Sequence, residues 1–242
     1  MTDDERAAAL LQAAVDEAFP ADLQSAWARH VAREQVLVGR QGIFTRRMRP
    51  FGYEFSFRAP GTDHAAASAW SALQHERATG HVLRATFGRA DLEQAAHGRW
   101  LFVRMPRSYL VGDLPVPARP DRLVIEVADH VEITPEVLAG VRRLRERGYR
   151  IAIPGFVSRP GQRLLLPHAD FVKIDVRDLD VEGQPVVELA RSYGALLVAE
   201  FVEEHWLLSH SRDLGFDLFQ GNLLEQATVV DRSAAGLARQ LG

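Results

Sequence analysis

The stretch TPEVLAGVRRLRERGYRIAI, residues 134–153, decides the fold class. Thr134 has a side chain that can cap a helix, and Pro135 suits the first helical position, where no backbone N–H is needed. Val137, Leu138, Val141 and Leu144 then recur at helical spacing and form one apolar stripe. Gly148 stops the helix, and Ile151 to Ile153 reads as a short apolar strand. A helix feeding a buried strand is the repeating unit of parallel α/β folds.

The unit recurs in both directions. Downstream, Phe171–Ile174 is a strand, Val186–Tyr193 a helix ended by Gly194, and Leu196–Ala199 a strand. A helix from about Glu204 to Leu214 ends at Gly215, Phe216–Leu218 follows as a strand, and Asp231–Leu241 is a closing helix. Upstream, Leu123–Val127 and Trp100–Met105 are strands. Residues 64–97 are alanine-rich and helical, with Trp70, Leu73, Val82, Leu83 and Phe87 as core positions. Val36–Phe44 and Phe51–Phe57 form two strands joined by a basic turn with Arg46, Arg47, Arg49 and Pro50.

Eight short apolar strands alternating with amphipathic helices imply a parallel sheet covered by helices, closed as a single (β/α)8 TIM-like barrel over residues 35–242. Residues 1–34 read as an added N-terminal helical segment. Leu10, Leu11, Ala14, Val15, Ala18 and Phe19 face one way, Pro20 interrupts, and Leu23, Trp27 and Val31 continue. That segment is either a lid on the barrel or an interaction arm, including a homodimer contact.

Composition narrows the function classes. Over 242 residues, 47% are hydrophobic and 25% charged, as in an ordinary globular domain. No apolar run is long enough to span a membrane, and the opening Asp3, Asp4, Glu5 has the wrong charge for a secretory signal, so the expected compartment is the cytoplasm. Cysteine is absent, which removes disulfides and thiolate metal sites. A net charge of −3 argues against direct nucleic-acid binding by the molecule as a whole. Of 29 basic residues Lys173 alone is a lysine. Arg142, Arg143, Arg145, Arg147 and Arg150 cluster on the solvated side of their helix, a solubility feature that also suits an acidic partner. His205 and His210 lack the spacing of a helical zinc pair, and neither a phosphate-cradling glycine loop nor a nucleophile-elbow serine is present.

Barrel function resides at the C-terminal ends of the strands. Those ends carry Glu54 and Arg58, Arg104, Glu126 and Asp129, Pro154 and Gly155, Lys173 and Asp175, Glu200 and Glu203, and Gln220. Carboxylates inside apolar strands are costly without a partner. Three of them facing one mouth beside a lysine point to a present or former metal and phosphate site.

The segment Gly52-Tyr53-Glu54-Phe55-Ser56-Phe57-Arg58, preceded by Gly39 to Phe44, resembles the signature of the EAL phosphodiesterase domain family, which hydrolyses cyclic di-GMP, and in particular the branch usually fused to HDOD domains. Phe171 to Asp175 resembles the family's lysine motif, Val198 to Glu203 its A-E-G-V-E motif, and Leu214 to Gly221 its L-G-x-D-x-x-Q-G motif. The matches run in the family's order over residues 36–226. The resemblance implies two divalent cations held by carboxylates and one asparagine, with Glu54, Glu126 and Glu200 at metal-ligand positions and Lys173 assisting the attacking water. It places Glu203 and Gln220 at further site positions and Arg58 at a phosphate contact.

The departures from that pattern are large. Arg104 stands where the family has its asparagine, and Pro154-Gly155 where it has the metal-bridging aspartate pair. Phe55 and Ser56 replace the alanine and leucine of the name motif, and the second acidic residue after Glu126 is Asp129. Magnesium needs near-ideal octahedral oxygen ligation, so three lost ligands and a gained guanidinium predict no catalytic residues, no metal and no cofactor. Glu54, Glu126, Lys173, Glu200 and Glu203 are then vestigial, with Arg104 expected to bridge two of the glutamates as a substitute cation. Lys173 either remains a ligand contact or forms a structural ion pair with Asp175 or a barrel glutamate. The expected role is an inactive signalling domain that binds an unidentified regulatory protein. The alternative is a cyclic di-GMP receptor that does not hydrolyse, binding through Gln41, Arg58, Arg104, Lys173 and Gln220. An active phosphodiesterase is the least favoured outcome.

Overall fold

Strands β1 (Leu37–Thr45) and β2 (Pro50–Arg58) form an antiparallel hairpin across the basic turn in the computed structural model, which describes residues 37–58, 71–87, 96–177 and 179–231. From β2 onward the strands run parallel: β3 (Trp100–Met105), β4 (Leu123–Val127), β5 (Arg150–Ile153), β6 (Phe171–Asp175), β7 (Leu196–Glu200) and β8 (Leu218–Phe219). β1 then pairs antiparallel with β8 and closes an eight-strand barrel. The sheet is therefore mixed, where alternation of strand and helix implied an all-parallel one. A hairpin turn of four residues leaves no room for a crossover helix, so β1 must run against β2.

The helices between strands are α1 (Ala72–Phe87), α2 (Arg107–Val111), α3 (Pro135–Glu146), α4 (Pro160–Leu165), α5 (Leu179–Ser192, broken at Gly183) and α6 (His205–Asp213). Helix α3 begins as its sequence requires: the Thr134 hydroxyl accepts a hydrogen bond from the Val137 N–H at 3.3 Å. Its buried face is Val137, Gly140, Val141 and Leu144, and Leu138 is only half-buried. Gly140 belongs to that face because a Cβ there would lie 2.0 Å from the Leu110 carbonyl oxygen.

Two expectations are corrected. Leu73 is 54% exposed, because the core face of α1 passes through Val82 and Leu83 instead. Asp231 ends a strand, β9 (Thr228–Asp231), which pairs with β1, so it is not part of the closing helix expected over Asp231–Leu241, whose other residues lie outside the described residues. The arginine cluster is largely solvated as expected: Arg142, Arg143, Arg147 and Arg150 are exposed and Arg145 is half-buried, with Arg147 and Arg150 lying past the end of α3. Trp70, the N-terminal segment 1–34 and residues 232–242 lie outside the described residues. No helix among the described residues is long and apolar enough to cross a membrane.

Inside the barrel, Ile43, Phe102, Val124, Ala152, Phe171, Val198 and Leu218 form one apolar layer. Phe51 and Trp100 pack beneath it, and the Phe102 and Phe171 rings meet edge-on at 5.1 Å. Side chains alternate along a strand, so the next inward position lies two residues further toward the mouth. Those positions are Gln41, Arg104, Glu126, Pro154, Lys173, Glu200 and Gln220, with Glu54 opposite Gln41 in the β1–β2 register. A polar layer thus rests directly on an aromatic floor.

Candidate functional site

Lys173 is the centre of that layer and has no solvent exposure. Its Nζ donates to Glu54 Oε2 at 2.7 Å and to Glu126 Oε1 at 2.8 Å, and lies 3.0 Å from Glu200 Oε1. Burial alone disfavours the ammonium, but the surrounding Glu126, Glu200 and Glu54 charges hold its pKa well above the ordinary lysine range. Of the two ion-pair partners expected from sequence, the glutamates are correct and Asp175 is not. Asp175 instead grips Arg177 at 2.7 Å.

The carboxylates differ in environment. Burial would raise Glu54, yet Lys173, then Arg104, hold it far below the usual carboxylate range. Burial pushes Glu126 up to about 7, with the Glu54 charge adding to the push and Lys173 and Arg104 opposing it. Glu126 Oε2 is buried without a hydrogen-bond donor. Three carboxylates against two cations leave an excess negative charge, and the neighbouring Glu54 charge is one cause of the raised Glu126 value.

Arg104 sits at this cluster, 44% exposed on its rim. Its Nε lies 3.5 Å from Glu126 and 3.7 Å from Glu54, beyond good hydrogen-bond length, while Nη1 donates to Asp129 at 3.1 Å. The guanidinium therefore spans Glu54 and Glu126 at ion-pair distance, as expected of it, while its hydrogen bond goes to Asp129 and the closer bridge among the glutamates is made by Lys173. A compact ammonium fits among three converging oxygens where a guanidinium plane does not. Replacing Arg104 with alanine is expected to cost only about 1 kcal/mol, or a melting shift of roughly 2–4 °C, because the group is partly exposed. Thermal denaturation of Arg104→Ala checks this, and a loss above about 8 °C would mean the guanidinium carries the cluster.

Gln220 Nε2 donates to Glu54 Oε2 at 2.7 Å and to Gln41 Oε1 at 3.1 Å, and Gln41 reaches Asn222 at 3.2 Å. Glu203 lies past the end of β7 and is exposed, outside the cluster. The Arg58 side chain is outside the described residues. Sequence reading missed Gln162, whose side chain accepts from Val157 N and donates to Gly155 O, fixing the loop after β5. That loop turns the Gly155 N–H onto Glu200 Oε2 at 3.2 Å. Nothing in the sequence marks Gln162 as the residue shaping the mouth.

A pair of divalent cations needs several converging oxygen ligands. Here a guanidinium stands 3.5 Å from Glu126 and 3.7 Å from Glu54, and the turn after β5 offers Pro154 and the Gly155 N–H in place of carboxylate oxygens. The residues present do not fit a metal pair. Among the described residues no group of three His, Asp or Glu side chains is arranged to hold a metal ion.

The sequence profile of the EAL domain matches residues 41–227. The chain is 26% identical to the uncharacterized protein YuxH of Bacillus subtilis over 202 residues, covering 81% of this chain and 48% of that protein. It is also 26% identical to the cyclic di-GMP phosphodiesterase CdgJ of Vibrio cholerae over 196 residues, 80% of this chain and 44% of that one. The chain thus spans less than half the length of these relatives. Its fold is similar to Klebsiella pneumoniae BlrP1 in a calcium and cyclic di-GMP complex, with TM-score 0.63 and 23% identity, covering 83% of this chain and 57% of that one. It is likewise similar to the PaMucR phosphodiesterase in complex with cyclic di-GMP, with TM-score 0.61 and 19% identity over 89% of this chain and 98% of that one. A matched profile across most of the barrel, with those folds around it, places the chain in the EAL domain family.

Proposed function

We propose that this EAL domain is catalytically inactive and acts in cyclic di-GMP signalling as a regulatory module that binds a protein partner. One observation carries the reading: Arg104 brings a guanidinium within 3.5 Å of Glu126 and 3.7 Å of Glu54, at the position where the family pattern has a metal-binding asparagine. With no aspartate at 154 or 155, no carboxylate oxygen after β5 competes with that guanidinium. Glu54 and Glu126 are each paired with both Lys173 and Arg104, which leaves them unavailable to hold a metal that would polarise water.

A receptor that binds cyclic di-GMP without cleaving it is the second reading. Gln41 and Gln220 still line the mouth, and proteins of this fold have been captured with that dinucleotide. Isothermal titration with cyclic di-GMP, with and without magnesium or calcium, separates the readings, alongside a hydrolysis assay on the same protein. The expected result is no cleavage above background and no saturable heat. Metal-independent saturable binding would replace the first reading by the second. Metal-dependent cleavage abolished by Glu54→Gln would overturn both.

A further inference from the structure

At the opposite end of the barrel, where the strands begin, charge accumulates on one side. The β1–β2 turn presents Arg47 and Arg49, Arg99 precedes β3, and Arg147 and Arg150 frame the entry to β5. Strands β2, β3, β4 and β5 are successive neighbours. With about 4.8 Å between strands, these arginines spread over roughly 14 Å. All five are exposed.

Two of the acids nearby are already committed. Asp121 is held by Arg119 at 2.9 Å. Asp170 accepts from the Ile151 N–H at 2.9 Å, and its other oxygen is 4.0 Å from Arg150 and 3.9 Å from Arg145. Among the described residues, Arg47, Arg49, Arg99 and Arg147 have no carboxylate within salt-bridge distance. Two of the guanidinia are also held in place by rings: Arg150 lies over Trp100 at 5.0 Å and Arg147 over Tyr149 at 5.5 Å. A stacked guanidinium keeps its N–H edge available for a carboxylate and loses less side-chain entropy on pairing.

We infer that this face, formed by Arg47, Arg49, Arg99, Arg147 and Arg150, docks an acidic protein segment bearing several carboxylates within a span of roughly 14 Å. The inference rests on the protein-binding reading above and names the chemistry of the partner. A protein segment is favoured over nucleic acid because the basic area is short and the chain's net charge is −3, which repels a long polyanion beyond the patch.

Fluorescence anisotropy with a short labelled poly-L-glutamate tests the inference, using single-stranded and duplex oligonucleotides as competitors. The combined variant Arg99→Glu, Arg147→Glu, Arg150→Glu should weaken poly-L-glutamate binding by about tenfold or more, in a salt-dependent manner. Reversing Arg159 and Arg163, at the other end of the barrel, should change it by less than about twofold. If the triple reversal lowers the melting temperature, the same positions changed to glutamine provide a milder loss of charge and should still weaken binding. Equal losses from both sets of reversals, no binding by the wild type, or displacement by oligonucleotide at lower concentration than by unlabelled poly-L-glutamate would each overturn the inference. Phosphodiesterase turnover by the wild type would overturn the proposed inactivity while leaving this anisotropy result intact, so the two failures are distinct.

Discussion

Replacing Lys173 with methionine should destabilise the barrel by about 3–5 kcal/mol, because removing one partner of a buried ion cluster leaves charges uncompensated. For a domain of this size the melting temperature should fall by roughly 10–15 °C. The cause is local. Glu126 has no exposure and Glu200 little, and each would lose its nearest cation. Arg104 cannot take over, since its guanidinium is tied to Asp129 and reaches Glu126 only at 3.5 Å. Lys173→Arg should recover only part of the loss, because a guanidinium plane does not fit the point held by Nζ.

A double-mutant cycle makes the argument specific. Glu126→Gln removes the fully buried carboxylate whose pKa burial pushes up to about 7, and it nearly preserves shape. Combined with Lys173→Met it should be less destabilising than the sum of the two changes, by roughly 1–3 kcal/mol. Chemical denaturation of the four proteins gives that coupling directly. Additive effects, or a Lys173→Met protein melting within about 2 °C of wild type, would show that the three carboxylates do not depend on the ammonium.

The residues of this cluster were legible in the sequence, but their pairing was not. A period of two along each strand fixes which side chains point inward, and Glu126, Lys173 and Glu200 each interrupt an apolar run. What alternation cannot fix is height. Whether Lys173 meets Asp175, Glu54 or Glu126 depends on how far each strand is staggered around the barrel, and stagger is a property of the closed sheet. Arg104 pairs with Glu126 and Glu54 as its strand position leads one to expect, but its hydrogen bond to Asp129, set by the rim position, was not legible. Helix α3 was read accurately because cap, stripe and stop are all local signals. The β1–β2 hairpin is a local pairing and was read, whereas the strand at Thr228–Asp231 depends on pairing with the distant β1 and was not.

Changing Gly221 to alanine should cost about 3 kcal/mol and roughly 6–12 °C, although it adds only a methyl group. An ideal Cβ at this position would lie 2.2 Å from the Val202 carbonyl oxygen and 2.3 Å from its nitrogen. These are backbone atoms, and they are fixed: Val202 N donates to Gln220 O at 3.0 Å, and Leu223 N donates to Val202 O at 3.1 Å. Relief requires breaking those bonds or shifting β8 away from β7. The proper control is Gly194→Ala, where φ is +79° but nothing lies within 4 Å of the added carbon, so only about 1–2 kcal/mol of left-handed backbone strain is expected. If the two variants melt together, close packing at Gly221 is not a constraint. If Gly221→Ala melts lower, the Gln-Gly pair closing the family motif divides into two physical roles. Gln220 serves the polar layer through Glu54, whereas the glycine lets two chain segments approach at the barrel mouth. Packing of that kind is required whether or not the mouth performs chemistry, so a retained Gln-Gly marks barrel closure and is compatible with a site whose carboxylates have turned to Lys173.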